Sequence, residues 1–330
     1  MITRNPYFDF LRGFAIIMVV GIHTVTSMSP DFNTVEGIVI IILRSLLNCA
    51  VPLFLVISGY FIASKKISFG KEHISFLKKQ IPKIYIPCLI FSIPYLTMSL
   101  ISGSNGILKP LAIFFACGFS VYYFVALIIQ YYLLLPIFIK FNGFVGLILT
   151  VLISALSIIG VTYVIKYEGI ELPLLIYAGL FPLWILFFFM GVFFSNHNRN
   201  YKIIYPLILT ITGLILQILE YQFWMQRDVT ALGIKMSSFI FSAGMIWLLF
   251  SKKMESTYSE KILMKTVNWI GGISFGIYLL HCYVIIAVSK IVPEIGWIEK
   301  WTLVLCITVL LIWIAKSIFP KFSVKYLGFR

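Results

Sequence analysis

Tyr7-Phe-Asp-Phe-Leu-Arg-Gly-Phe-Ala-Ile-Ile-Met-Val-Val-Gly-Ile-His-Thr24 is the stretch whose reading decides the fold. It is long and apolar enough for a membrane helix, from about residue 8 to about residue 26, yet it carries Asp9, Arg12 and His23. At 100° per residue, Arg12 and His23 fall within roughly 20° of one face, and Asp9 within roughly 40° of His23. A rise of 1.5 Å per residue puts His23 about 16 Å beyond Arg12. Ionisable groups in hydrocarbon are costly, so they usually face a bundle interior or a watery cavity and mark a functional path. The blander reading makes Asp9 and Arg12 interfacial anchors and His23 a satisfied polar residue.

Working outward, composition sets the class. Hydrophobic residues are 61% of the 330, charged residues 12%, and mean hydropathy is +1.01. A soluble domain does not look like this. Apolar runs of about 20 residues recur, whereas the short alternating segments of a membrane barrel do not, so the expected fold is an all-α polytopic membrane protein. The first run lacks a small-residue cleavage site and is read as a retained span. Ten spans are expected, over 8–28, 35–63, 82–102, 111–139, 143–165, 173–195, 203–223, 236–251, 267–289 and 300–319. They are read as one integral-membrane domain, 1–330, with a kink at Pro52 in the second span and a break near Gly118–Tyr123 in the fourth.

The charges sort by side. With the N-terminus inside, 19 of the 26 Lys and Arg fall on the inner side. Only Arg44, Lys109, Lys166, Arg227, Lys235, Lys290 and Lys300 fall outside or in the outer half. The positive-inside rule therefore predicts two cytoplasmic termini, and it accounts for most of the +14 net charge without nucleic acid as a partner. The inner stretch from Lys65 to Lys83 carries six lysines beside Glu72. It serves either orientation and anionic-lipid contact or a polyanionic ligand such as a nucleotide. No phosphate-binding GxxxxGK[ST] loop, GxGxxG strand–helix turn or GxSxG elbow occurs. The five cysteines form no CxxC pair and the four histidines have no metal-ligand spacing, so neither a disulfide framework nor a metal site is expected.

Further polar residues lie inside predicted spans. Arg44 and Asn48 are i and i+4 in the second span, and Ser58 and Gly59 would let another helix come close. The fourth span offers Tyr122, Tyr123 and Gln130; in the ninth, Ser274, Tyr278 and His281 share a face. Histidine suits proton transfer near neutrality, and arginine suits phosphate or a developing oxyanion.

Five pieces in this order resemble the membrane acyltransferase 3 family, the integral-membrane O-acyltransferases of bacterial surface polysaccharides. They are Phe8-Asp-Phe-Leu-Arg-Gly13, the spacing Arg12-x10-His23, Val51-Pro-Leu-Phe-Leu-Val-Ile-Ser-Gly-Tyr60, the segment from Tyr122 to Pro136, and Ser274-Phe-Gly-Ile-Tyr-Leu-Leu-His281. Ten spans is also the family's number. The resemblance implies His23 as the catalytic histidine and Arg12 as the arginine that works with it on the donor. It implies acyl-CoA, most often acetyl-CoA, as a cytoplasmic donor substrate rather than a bound cofactor, and a multi-pass protein of the bacterial inner membrane. Departures exist. Gln80 and Lys83 stand where many members carry Arg-x-x-Arg, Asn48 stands where an arginine is common, and Tyr122 where a tryptophan is common. The extracytoplasmic esterase-like domain fused to some members is not expected here.

The resulting expectation is transfer of an acyl group, most simply acetyl, from acyl-CoA to a hydroxyl of a surface glycan or its lipid-linked precursor. His23 would be general base or acyl carrier, Asp9 the partner of Arg12, and Lys78, Lys79 and Lys83 the donor's phosphate contacts. Arg44, Asn48, Tyr122, Tyr278 and His281 are second-tier candidates on the acceptor side. The rival readings are a transporter or flippase with histidine proton relays, and a structural subunit.

Overall fold

A computed structural model describes residues 5–27, 34–65, 67–103, 106–225, 234–259 and 261–329. Arg4, Lys66, Arg227 and Arg330, four of the cations sorted above, lie outside the described residues. Among those residues the chain is helical with no strand. In order the helices are α1 (Pro6–Thr26), α2 (Val35–Leu47), α3 (Ala50–Ala63), α4 (Lys71–Gln80), α5 (Pro82–Ile101), α6 (Leu108–Phe115), α7 (Tyr123–Lys140), α8 (Phe144–Lys166) and α9 (Leu174–Ala178). There follow α10 (Phe181–Asn196), α11 (Ile204–Met225), α12 (Met236–Leu249), α13 (Lys252–Thr257), α14 (Ile262–Gly272), α15 (Ser274–Ile291), α16 (Trp297–Ile318) and α17 (Pro320–Tyr326).

Among the described residues, 9 helical stretches are long and apolar enough to cross a membrane. The protein is an all-α, multi-pass membrane protein. The eighth expected span is the exception: α12 is apolar but has 14 residues. The second span breaks at Asn48–Cys49, one turn before Pro52, because the proline lacks an N–H and its ring crowds the carbonyl four residues back. That carbonyl, on Asn48, takes a long bond from Ser242 Oγ at 3.5 Å. The fourth span divides into α6 and α7 around a 3₁₀ turn at Ser120–Tyr122, and Cys117 and Ser120 adopt positive φ there. The ninth divides at Ile273, between α14 and α15. The basic stretch read as a loop contains a helix of its own, α4.

The chain forms two compact units. The first comprises Met1–Lys66, Phe138–Glu171 and Pro182–Gly271, hence α1–α3, α8, most of α10, and α11–α14. Its helices meet through small residues, as expected where lipid is as apolar as the core. A Cβ on Gly59 of α3 would lie 2.2 Å from Phe188 O, and one on Gly191 of α10 would lie 2.1 Å from Val56 O. The two backbones therefore touch, as the Ser58-Gly59 pair suggested. Helix α8 is apolar outward: Ile148, Leu152, Leu156 and Ile159 are exposed, while Gly146, Thr150 and Ser154 are buried. Ser154 Oγ accepts from Leu186 N at 3.2 Å.

The second unit comprises Ile67–Ile137, Leu172–Phe181 and Gly272–Arg330, hence α4–α6, most of α7, α9 and α15–α17. Two reciprocal bonds tie its 3₁₀ turn to α15. Tyr122 Oη donates to Leu279 O at 2.7 Å, and Tyr278 Oη donates to Val121 O at 2.7 Å. Gln130 of α7 brackets the following turn, donating to Gly179 O at 2.7 Å and accepting from Phe181 N at 3.1 Å.

Candidate active site along the first helix

The sequence starts α1 firmly. Asn5 caps it, its Oδ1 accepting from Tyr7 N at 3.0 Å, and Pro6 occupies the first turn, where a missing N–H costs nothing. The acidic side chain of Asp9 suits the positive end of the helix dipole. Arg12 Nη1 donates to Asp9 Oδ1 at 2.8 Å. The Arg12 guanidinium also lies 4.9 Å from the Phe61 ring centroid, a cation–π contact with the end of α3. Phe8, one residue before Asp9, stacks on Tyr60 at 4.9 Å and meets Phe61 edge-on at 5.1 Å.

Helix α14 fixes the other side of this turn. A Cβ on Gly271 would sit 2.0 Å from Asp9 O, and one on Gly13 would sit 1.9 Å from Val267 O. The two backbones are in direct contact at the ion pair, and glycine is required on both. Gly13 was visible beside Arg12 in the sequence. Its counterpart Gly271 opens the stretch Gly271-Gly-Ile-Ser-Phe-Gly276 near the start of the ninth span, and nothing in the local sequence marks it as the partner of α1.

Ile16 and Val19 fall between Arg12 and His23 on the same helix face, and they are 0% and 5% exposed. The face is thus turned into protein rather than lipid. Asp9 is buried, while Arg12 and His23 are half-buried, so both ends of the stripe remain reachable. His23 lies three residues before the end of α1, and its carbonyl accepts from Ser27 N at 3.2 Å.

The start of α1 is anchored by a polar latch that the sequence did not announce. Arg199, buried, donates through Nη2 to Glu255 Oε2 at 2.7 Å and through Nη1 to Phe250 O at 3.2 Å. Asn5 Nδ2 donates to Glu255 Oε1 at 2.8 Å, and Lys252 Nζ to Oε2 at 3.2 Å. Tyr7 Oη donates to Leu249 O. Burial works against ionisation of Glu255, but Arg199, Asn5 and Lys252 outweigh it and hold the carboxyl below its ordinary range.

The other candidates fall in different places. Arg44 donates to Asn48 Oδ1, and Asn48 Nδ2 donates to Gln217 Oε1 at 2.6 Å, so this pair of the first unit joins α11. Lys78 and Lys79 are exposed on α4 of the second unit, whose opposite face packs His73 and Phe76 on Tyr132. Lys83 donates to Gln80 Oε1 at 3.2 Å. Tyr122 and Tyr278 spend their hydroxyls on the ties described above. His281 is fully buried, with Nδ1 3.0 Å from Ile277 O in its own helix.

A multi-pass helical membrane protein, with an Asp–Arg pair and a histidine along one inward face of its first helix, is the class these features define. The chain belongs to the membrane acyltransferase 3 family: residues 5–316 match the family model described as "Acyltransferase domain". It is a membrane acyltransferase. Neither a curated protein nor a solved structure matches it.

Proposed function

We propose that the protein transfers an acyl group, acetyl in the simplest case, from cytoplasmic acyl-CoA to a hydroxyl of a surface glycan or its lipid-linked precursor, in the inner membrane of a bacterium. The observation that carries this reading is the inward face of α1, where Arg12 is held by Asp9 and Phe61 and His23 follows about 16 Å further along. That span matches the length of an extended pantetheine arm laid along the helix, and Lys78, Lys79 and Lys83 are the proposed contacts of the donor's phosphates. A neutral imidazole at His23 takes the proton of the acceptor hydroxyl as the oxygen attacks the thioester carbonyl, and the CoA thiolate leaves. Arg12 positions the donor, and Asp9 fixes the direction of the guanidinium fork. A transient acyl-imidazole at His23 uses the same residues in two steps.

The test is acyl transfer from radiolabelled acetyl-CoA by purified variants at matched abundance. General-base catalysis is worth about 10²–10⁴-fold, so His23→Ala should lose at least that lower figure while still binding CoA. Arg12→Lys should also be impaired, since lysine keeps the charge but loses the planar fork. Near-normal transfer by His23→Ala would overturn the mechanism.

A further inference from the structure

The positive-inside rule leaves a residue of cations it does not explain. Three of them, Arg44, Lys166 and Lys235, belong to the first unit and meet the second half of α11: Lys166 at Trp224, Lys235 at Gln217 and Tyr221, and Arg44 at Gln217 through Asn48. On the ten-span order expected from the sequence, the end of α8, the end of α11 and the start of α12 fall on the same side of the membrane as the His23 end of α1. Lys235, immediately before α12, is 4% exposed. Its ammonium has three N–H groups to satisfy. Among the described residues it makes one hydrogen bond, to Gln217 O at 3.3 Å, and lies 5.9 Å from the Tyr221 ring. Neither partner carries charge, and a buried ammonium so poorly satisfied is costly.

The neighbours extend the pattern. Gln217 receives Asn48, which receives Arg44. Lys166 Nζ sits 4.1 Å over the Trp224 ring. The one nearby carboxylate among the described residues, Glu220, accepts from Ser237 N at 3.2 Å and from Trp224 Nε1 at 3.4 Å, and its single charge is shared by Lys235 and Lys166. Ser237 Oγ, in the first turn of α12, is buried and makes no hydrogen bond among the described residues. A buried ammonium and a buried hydroxyl, with two further cations within electrostatic reach of that ammonium and one carboxylate among them, have the chemistry of an anion site.

We propose that Arg44, Lys166 and Lys235 form an oxyanion-binding subsite, on the His23 side of the membrane, for a phosphate or carboxylate group of the acceptor. The assignment to the acceptor rests on the acyl-transfer reading above; the anion site itself does not. The acceptor is thereby an anionic glycan or a phosphate-linked one, held by its charge while a hydroxyl elsewhere on it meets His23.

The full-length protein in nanodiscs tests this, with inorganic pyrophosphate and glucuronate as separate probes and Trp224 emission as readout. A Trp224→Phe variant identifies that residue's signal among the chain's 7 tryptophans. We expect a saturable response that weakens with salt and survives Lys78→Gln/Lys79→Gln/Lys83→Gln. Lys235→Gln should weaken the apparent affinity about tenfold or more, the scale of one lost charged hydrogen bond, and Lys235→Arg should keep it. Should Lys235→Gln fail to fold, Lys166→Gln at the half-buried edge carries the same expectation. Pyrophosphate alone responding assigns the group as phosphate; glucuronate alone assigns it as carboxylate. No response to either anion, or wild-type affinity in folded Lys235→Gln and Lys166→Gln, overturns the subsite. A wild-type protein that binds the anion but transfers no acyl group would instead sink the proposed function and leave the subsite standing.

Discussion

Asp9 meets two demands in one residue: its carboxylate receives Arg12, and its backbone carbonyl lies where Gly271 leaves room. The orientation of Arg12 therefore depends on a contact between backbones. A methyl group on Gly271 would meet Asp9 O at 2.0 Å, and no flexible side chain is there to yield. Gly271→Ala should destabilise the first unit by about 1–3 kcal/mol, the usual cost of overpacking, and lower the melting temperature in detergent. Transfer should fall more than stability does, because the shift lands on the Arg12 turn. The Asp9–Arg12 pair was legible in the sequence because i and i+3 residues on a helix meet whatever the rest of the chain does. The contact with Gly271 was not, since local sequence does not say which distant helix will come close.

At the scale of elements, the latch and the basic helix behave differently. Arg199 is buried and Glu255 is its charge partner, so Glu255→Gln leaves a buried guanidinium uncompensated, at a cost on the order of 3–5 kcal/mol. The folded carboxyl titrates below its ordinary value of 4.5, so the stabilisation is full above that value and is lost as pH falls through the lower folded one. The melting-temperature gap between wild type and Glu255→Gln should be wide at neutral pH and close in acid. Lys78 and Lys79 are exposed on α4 and Lys83 is half-buried at the start of α5: replacing the three together by glutamine should raise KM for acyl-CoA and leave the melting temperature in place, and added salt should weaken the wild type toward the variant. An unchanged KM would assign the three lysines to orientation alone. A kink from Pro52 was foreseen because proline acts on its own helix at a fixed distance, and it takes the form of a break one turn earlier, at Asn48–Cys49. Helix α4 was hidden because its many lysines read as a solvated loop, while His73 and Phe76 both pack on Tyr132 of the distant α7.

For the whole molecule, hydropathy carried most of the fold. Among the described residues nine spans emerged because a membrane demands about 20 apolar residues of each, but three of them, Lys71–Ile101, Ser120–Lys140 and Ser274–Ile291, begin well away from the expected 82, 111 and 267. The sidedness can be tested directly. Four of the five native cysteines are buried, so a Ser68→Cys variant in a Cys306→Ser background offers one reactive thiol. An impermeant maleimide added to intact cells should miss it; labelling from outside would reverse the assigned topology. The division into two units was not legible, because the segments of each are interleaved along the chain. Helix α12 bears on the bilayer itself. Its 14 residues reach about 21 Å, against a hydrocarbon core of about 30 Å. Such a hydrophobic mismatch is relieved by local thinning of the leaflet or by water entering beside the short helix. With Lys235 immediately before that helix, such thinning would bring the headgroup layer down toward the three cations of the proposed subsite, and shorten the descent of a polar headgroup to them.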